Sequence, residues 1–379
     1  MSQKLVKTNA KSPNPKRSEG PPTDAERFAI VRLIRSPGIG PVRFFQLYHH
    51  YGSALEAVHH FKEATQNIKS AALCAPQDIE KELTHHQKIG IHLLTFLDPT
   101  YPSLLQEIKD MPPVLSVLGN ASILQKPLLG VVGSRNASIN SRDFMKRLIG
   151  DLIKQDIYIV SGFARGMDTA AHEASLTCGT VGVLAGGVDV IYPEENGILY
   201  KKIQETGCLI SETPLGLQPQ GQHFPRRNRL ISGVARGVLL SEARFQSGSM
   251  ITAEYALEQG RDVFAIPGSP LDPRCAGSNH LLKQGAIFVT RAEDILDVFG
   301  NTLSSEPLPS CPVAQLPDRD EATLLSLLSQ EPLPRDIVLE HFGGSVESFN
   351  RLCTQLELEG KIMTYFGGLL SLGKNSQAG

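Results

Sequence analysis

Three arginines fall within four positions in the run Phe224-Pro225-Arg226-Arg227-Asn228-Arg229-Leu230-Ile231-Ser232-Gly233, in a chain whose formal net charge is only −2. A guanidinium presents a rigid fork of donors that suits phosphate oxygens, and unlike an ammonium it stacks on planar rings. Like charges repel, so packing alone gives little reason for such crowding. A phosphate backbone would relieve it, as would carboxylates around a solvated helix start. Glycine-rich loops supply the second component: Gly130-Val131-Val132-Gly133-Ser134-Arg135, Ser161-Gly162-Phe163-Ala164-Arg165-Gly166-Met167-Asp168, Ser241-Glu242-Ala243 with Ser247-Gly248-Ser249, and Ala265-Ile266-Pro267-Gly268. Glycine there lets the backbone approach an anion, and the amides of a following helix point at it. Arg135 and Arg165 add charge to the same loops. Phe163, Tyr192 and Phe224 are placed either to stack under an unpaired base or to plug their loops into the core. The chemistry implied is the holding of an extended polyanion.

Catalytic patterns are weaker. Gly130 and Gly133 do not complete a dinucleotide fingerprint, and no G-x-x-x-x-G-K-[ST] run occurs, which excludes a P-loop ATPase. Glu212 and Glu242 sit at strand ends without a nucleophile or base beside them in sequence. His172 lies among alanines in a helical stretch and reads as a satisfied core histidine. Arg165 has Asp168 as a near partner, and Asp189 with Tyr192 is placed to brace a Gly-Gly turn. The six cysteines, Cys74, Cys178, Cys208, Cys275, Cys311 and Cys353, show neither C-x-x-C pairs nor metal-ligand spacing. They read as free thiols in a reducing cytoplasm, and neither metal nor cofactor is expected.

The elements that would position these residues follow a βαβ rhythm over 125–300. Short apolar runs at Leu128–Val132, Ile157–Val160, Thr180–Leu184, Cys208–Ile210, Gly237–Leu240, Asp262–Ile266 and Ala286–Val289 read as strands. Helical patterns at Arg142–Lys154, Met167–Cys178, Glu194–Thr206 and Met250–Gln259 separate them. The fold class is therefore α/β: a doubly wound, mostly parallel, Rossmann-like sheet, whose ligands bind beyond the carboxyl ends of the strands. Every loop singled out above falls at such an end.

Around this core the chain is expected to carry a disordered basic tail at 1–25 and a helical SAM-like or helix-hairpin-helix-like module at 26–110, with the Rossmann-like domain spanning 111–300. In the helical module, Ser36-Pro37-Gly38-Ile39-Gly40-Pro41 reads as a tight turn between two helices. A Pro- and Ser-rich linker at 301–317, a winged helix at 318–373 and a short tail at 374–379 complete the organisation. The winged helix shows three helices and a hairpin, but Val346–Leu358 carries Glu347 and Glu357 against one arginine, Arg351. Such a surface suits protein contact or weak DNA binding. The pI of about 6.6 excludes a protein that coats nucleic acid by bulk charge. No apolar run spans a bilayer, and residues 1–25 lack the apolar stretch of a secretory signal.

Taken together, Gly-Ser-Arg at 133–135, Ser-Gly-x-Ala-Arg-Gly-x-Asp at 161–168, Gly-Gly-Val-Asp-x-x-Tyr-Pro at 186–193, Ser-Glu-x-Pro at 211–214, Phe-Pro-Arg-Arg-Asn-Arg-x-Ile-Ser-Gly at 224–233, Ser-Gly-Ser-x-Ile-Thr-Ala at 247–253, Val-Phe-Ala-Ile-Pro-Gly at 263–268 and Gly-x-Asn-x-Leu-Leu at 277–282 closely resemble the bacterial DNA-processing protein A (DprA/Smf) family. The resemblance implies a cytoplasmic, dimeric, non-enzymatic protein. It would bind and protect single-stranded DNA, holding duplex more weakly, and load a RecA-type recombinase on the strand in natural transformation or homologous recombination. Carried onto this chain, the pocket would use Gly133, Ser134, Arg135, Ser161, Gly162, Arg165 and Gly166, with Arg226, Arg227, Asn228 and Arg229 as the main charge. Phe163, Phe224, Ser247 and Gly248 complete the candidate set. The exposed edge at Ile287 and Phe288 would be the homodimer contact. The alternative is a nucleotide-binding enzyme resembling the lonely-guy phosphoribohydrolases. Ser247-Gly248-Ser249-Met250-Ile251-Thr252-Ala253-Glu254 is a degraded echo of their glycine loop and glutamate.

Overall fold

A computed structural model describes residues 21–68, 71–300, 318–328, 333–342, 346–365 and 369–373. The expected tails and linker, Cys311 and the Gly367-Gly368 turn lie wholly or largely outside these residues. The molecule consists of two units, residues 1–304 and 305–379.

Nine strands of the first unit pair into one sheet: β1 (Ile91–Thr95), β2 (Val114–Gly119), β3 (Leu128–Gly133), β4 (Tyr158–Ser161), β5 (Thr180–Val183), β6 (Cys208–Ser211), β7 (Gly237–Ser241), β8 (Asp262–Ala265) and β9 (Ile287–Phe288). The order is β1-β2-β6-β5-β4-β3-β7-β8-β9. From β6 to β9 every pairing is parallel, whereas β1–β2 and β2–β6 are antiparallel. The period-2 geometry of a strand divides its side chains between the two faces. In β3, Leu128 and Val132 join one core, and Leu129 and Val131 the other. Burial on both faces is why these strands read as continuous apolar runs.

Helices cover both faces. The amino-terminal module comprises α1 (Asp24–Ile34), α2 (Pro41–Tyr51), α3 (Ala54–His59), α4 (Phe61–Ala64) and α5 (Pro76–Lys88). The crossovers are α6 (Ile139–Ile153), α7 (Met167–Ser175), α8 (Gly197–Thr206), α9 (His223–Val234), α10 (Gly248–Glu258) and α11 (Ala276–Lys283), and α12 (Glu293–Phe299) follows the last strand. Leu230, Ile231 and Val234 of α9 and Ala253 and Ala256 of α10 share one core with Ile30, Leu33 and Phe44 of the amino-terminal module. Met145, Leu148, Ile149 and Leu152 of α6 pack the opposite face with Ile295, Leu296 and Phe299 of α12. Arg35 pairs with Glu82 of α5 at 2.8 Å within the module and ties the module to the sheet by donating to the Glu212 carbonyl, just beyond β6, at 3.2 Å.

The sheet claims two strands that the sequence pattern does not mark. Residues 91–95 fall within the expected helical module, yet they form the sheet's edge strand. Five residues without clean alternation carry little periodic signal, and antiparallel pairing with β2 is a tertiary choice. Close backbone approach sets the joint between β2 and β6. Gly119 has φ +101°, and an added Cβ would lie 2.5 Å from the Gly207 carbonyl oxygen.

The second unit contains α13 (Asp318–Leu327), α14 (Arg335–Phe342) and α15 (Val346–Leu358), with a three-stranded sheet of β10 (Leu333–Pro334), β11 (Ile362–Tyr365) and β12 (Leu369–Leu372) in the order β10-β12-β11. Leu324, Val338, Phe349, Leu352, Leu356, Ile362 and Leu370 form its core. Lys361 joins Glu321 at 2.6 Å and Glu359 at 2.8 Å. Three helices and a hairpin in this order make a winged helix.

Gly119→Ala combines a left-handed backbone with a clash against a carbonyl. It is expected to destabilise the first unit by about 2–3 kcal/mol, read as a lower urea midpoint with unchanged slope.

Candidate nucleic-acid interface

The strand order reverses at β3. Successive strands β4, β5 and β6 run away on one side, and β7 and β8 lie on the other. At the carboxyl ends, Gly133 pairs with Ser241, so the topological switch point lies between them. A cavity of about 700 Å³ opens there. Its wall includes Gly133, Ser134 and Arg135 beyond β3, Phe224, Arg227 and Asn228 of α9, Ser247 and Gly248 at the start of α10, and Arg244 and Arg274. A second cavity of about 330 Å³ shares Arg135, Ala164, Tyr192, Phe224 and Arg227 with the first, and extends to Gly162, Arg165 and Gly186. Arg135, Arg165 and Arg227 of the arginine-rich helix thus meet at these joined cavities, whereas Arg226 lines a different cavity with Arg35 and Glu212.

Side chains lock these loops together. Ser249 Oγ donates to the Gly133 carbonyl at 2.8 Å, and Asn228 donates to that of Gly248 at 3.1 Å. Ser161 Oγ donates to the Val131 carbonyl at 2.6 Å. Glu242 accepts from Ser138 N at 2.8 Å and from Ser138 Oγ at 2.5 Å, which ties the end of β7 to the N-cap of α6. Gly166, at φ +79°, leaves no room for a side chain, since a Cβ would lie 2.3 Å from the Arg135 carbonyl oxygen. Ser134, whose carbonyl accepts from Met167 N at 3.1 Å, is held against the same turn.

The arginine run resolves into three environments, because a helix turns about 100° per residue. Arg226 is half exposed and pairs with Glu212 at 3.1 Å. Arg229 is 2% exposed, between Glu212 at 2.5 Å and Asp110 at 3.0 Å. Arg227 is buried and donates through Nη1 to the carbonyls of Gly162 and Val183. Arg226, Arg227 and Arg229, expected with Asn228 to supply the main charge for DNA, are thus already engaged by protein carboxylates and carbonyls, which relieve much of the crowding. Arg165 is also committed, donating to Glu195 rather than to Asp168.

The aromatic candidates separate in the same way. Phe163 is 1% exposed, at φ +60°, and packs against His172 and Tyr200 with centroids 5.9 and 6.3 Å away. In this position it plugs its loop and offers no face to a base. Tyr192 is half exposed and tilted against Phe224 at 5.7 Å, and the Arg135 guanidinium lies 5.9 Å from the Phe224 centroid. These three side chains belong to the wall common to both cavities. Sequence reasoning missed Arg244 and Arg274, although Arg244 immediately follows the Ser241-Glu242-Ala243 loop. Arg135 and Arg244 are exposed and form no ion pair with a carboxylate among the described residues.

Two buried titratable groups sit behind the rim. Burial pushes the Asp168 carboxyl up from 3.8 to about 6, opposed by the charge of Arg227, the Ala164 amide, Ser161 and Arg135. His172 is fully buried with Nδ1 2.9 Å from Thr180 Oγ1, and burial followed by the Arg227 charge lowers it to about 3, so it stays neutral. Its Nε2 has no partner. Glu242, Asp272 and Cys275 bring ligand atoms within 4.8 Å of one another, but Arg274 already supplies counter-charge, 2.7 Å from Asp272 and 4.0 Å from Glu242. Glu254, the acid in the phosphoribohydrolase-like echo, is exposed on α10 and is not part of either cavity wall.

A family model for DNA recombination-mediator protein A matches residues 92–300, one for a DprA-like N-terminal HHH domain matches 24–84, and one for a DprA winged helix domain matches 307–368. The chain belongs to the DprA/Smf family. It is 37% identical to the protein Smf of Escherichia coli strain K12, covering 78% of this chain and 81% of that one. It is 45% identical to the DNA processing protein DprA of Streptococcus pneumoniae strain R6 over 54% of this chain and 73% of that one. The X-ray structure of the Streptococcus pneumoniae protein aligns with a TM-score of 0.62 at 34% identity, covering 73% of this chain and 98% of that one. A Helicobacter pylori DNA processing protein A structure, described as giving insight into a unique single-stranded DNA binding mode, aligns with a TM-score of 0.51 at 27% identity, covering 55% and 95%.

Two stability outcomes follow from the burial pattern. Arg229→Ala leaves a nearly buried Glu212 short of a partner and is expected to cost about 3 kcal/mol, whereas Arg226→Ala stays within about 0.5 kcal/mol, both by denaturant titration. Asp168 binds its proton more tightly folded than unfolded, so it opposes folding increasingly as pH rises from about 4 to 6 and constantly above that. Asp168→Asn should therefore melt above wild type at pH 7.5, by up to about 3 kcal/mol in stability, with the gap closing near pH 4.

Proposed function

We propose that this chain binds single-stranded DNA along the carboxyl edge of its sheet, protects it, and delivers it to a RecA-type recombinase during natural transformation or homologous recombination. The observation that carries the reading is the common rim: exposed Arg135 and Arg244 flank joined cavities whose shared wall includes the Arg135–Phe224–Tyr192 cluster. Unpaired guanidinium groups neutralise phosphates, and exposed rings receive bases that a duplex keeps stacked on one another. The single-stranded DNA binding mode described for the Helicobacter pylori relative supports the same substrate. Gly133, Ser134, Gly162, Gly166, Ser247 and Gly248 bring backbone close to the strand. Arg227 and Asn228 hold the loops from behind, and Arg165 and Arg226 join the strand by exchanging carboxylate partners for phosphate. Binding needs no metal or cofactor and includes no catalytic step, and the protein works in the cytoplasm. No helix among the described residues is long and apolar enough to cross a membrane.

The protein acts as a homodimer through the sheet edge at β9. Phe288 is 55% exposed there, and Ile287 is half-buried beside it. Covering such an edge removes unpaired backbone groups from solvent. The winged helix serves as a protein-contacting module.

Titration of matched single- and double-stranded oligonucleotides at several salt concentrations tests the site. Arg135→Ala and Arg244→Ala should each weaken single-strand binding and lower the salt slope by about 1. Tyr192→Ala or Phe224→Ala should cost about 1–3 kcal/mol with little change in slope, while duplex affinity moves less. Wild-type binding by the Arg135→Ala, Arg244→Ala double variant would place the strand elsewhere. Light scattering of Phe288→Glu should report monomer; an unaltered dimer would exclude this edge.

A further inference from the structure

We propose that Asp168 is itself a ligand-contacting residue of this site: when a DNA phosphate enters the larger cavity, the Asp168 carboxylate takes up one proton from solvent and donates it in a hydrogen bond to a phosphate oxygen. This inference rests on the reading of the cavity as a single-strand DNA site.

The geometry makes Asp168 the odd member of the cavity wall. The surrounding polar groups are chiefly donors to an anion: Arg135, Arg244 and Arg274, the hydroxyl of Ser247, and the start of α10. A carboxylate has only acceptors, as does a phosphodiester, so the two cannot share a contact unless a proton stands between them. Asp168 is 6% exposed and still reaches the cavity. Its Oδ2 accepts from Ala164 N at 3.1 Å. A Cβ on Gly162 would lie 2.8 Å from this oxygen and 2.7 Å from Arg227 Nη1, so both side chains converge over one glycine. Arg227 spends that Nη1 on the carbonyls of Gly162 and Val183, and its buried Nε has no partner. The charge of Arg227, the Ala164 amide, Ser161 and Arg135 thus offset the burial of this carboxylate only in part before any ligand arrives.

The groups around it do not replace it as the proton acceptor. On α7 itself, His172 is buried and held neutral down to about pH 3. From α9 comes Arg227, and from the loop after β3 comes Arg135, both cationic. Tyr192 stands on the rim, and Arg165 is engaged with Glu195. On α6, Arg142, Asp143 and Lys146 line a separate cavity with Glu173 of α7. Glu242 is occupied by Ser138. His223 lines another cavity, on the amino-terminal-module side of α9. With a free-protein value of about 6, Asp168 is largely ionised at pH 7.5. A phosphate brought into the same low-dielectric wall raises it further.

The sign is fixed by linkage. Affinity for single strands rises as pH falls from about 8, by up to about tenfold per pH unit, and levels off once the free protein is itself protonated below about pH 6. Binding of a fluorescent oligothymidylate at constant ionic strength gives the profile. Calorimetry of the wild-type protein at pH 7, in buffers of different ionisation enthalpy, counts the proton directly and needs no variant. The expected result is uptake of a substantial fraction of one proton per strand site. Asp168→Asn should abolish that uptake and flatten the profile between pH 6 and 8, at or above the wild-type affinity of pH 7.5. Zero uptake by wild type, or full uptake by Asp168→Asn, overturns the proposal. The Arg135→Ala, Arg244→Ala double variant separates the two readings. If it binds markedly more weakly while wild type takes up no proton, only the role of Asp168 falls. If it binds like wild type, the site itself is elsewhere and both fall.

Discussion

A single buried guanidinium organises the carboxyl edge of this sheet. Arg227 enters from α9 and bonds the carbonyls of Gly162 and Val183, thereby joining the loop after β4 to the end of β5. Burial lowers its pKa to about 10, partly offset by Asp168, so it remains charged at neutral pH. A charge in that position demands compensation, and the loop carbonyls supply it only in one arrangement. Glycine at 162 is a consequence, since any side chain there would collide with the guanidinium.

From this constraint the site divides into a fixed back and an adaptable front. The back consists of Arg227, Asn228, Ser161, Ser249 and the Glu242–Ser138 link, all bonded to backbone. The front consists of exposed Arg135, Arg244 and Tyr192. In the proposed reading, the preorganised backbone would give a strand a defined path, and front side chains that form no ion pair among the described residues would accommodate successive nucleotides without reading their identity. Behind the front lies a buried carboxyl, Asp168, which accepts from the Ala164 amide and partly offsets the buried charge of Arg227.

Much of the architecture was legible in the sequence, and the reason is physical. Thr180–Val183, Cys208–Ser211 and Gly237–Ser241 are short apolar runs because both faces of a parallel strand are covered, and glycine turns punctuate them. Residues 91–95 were not legible as part of the sheet, because edge pairing leaves no periodic mark. The arginine run announced a charged helix, but the partner of each guanidinium depends on helix phase and on residues such as Asp110, more than a hundred positions away in sequence. Burial of Phe163 and exposure of Tyr192 have the same origin: both lie in glycine-rich loops, and only the packing of α7 and α8 decides which ring turns inward.

The amino-terminal module is wired into the charge balance of α9. Asp110 neutralises Arg229 from the connection between β1 and β2, Arg35 holds the backbone of Glu212, and Leu105 closes on Gly233 so tightly that a methyl there would lie 2.8 Å from it. Excising everything before the parallel strands would strip a counter-ion and a hydrophobic lid from the helix that shapes the rim. The central sheet is therefore not a transplantable cassette.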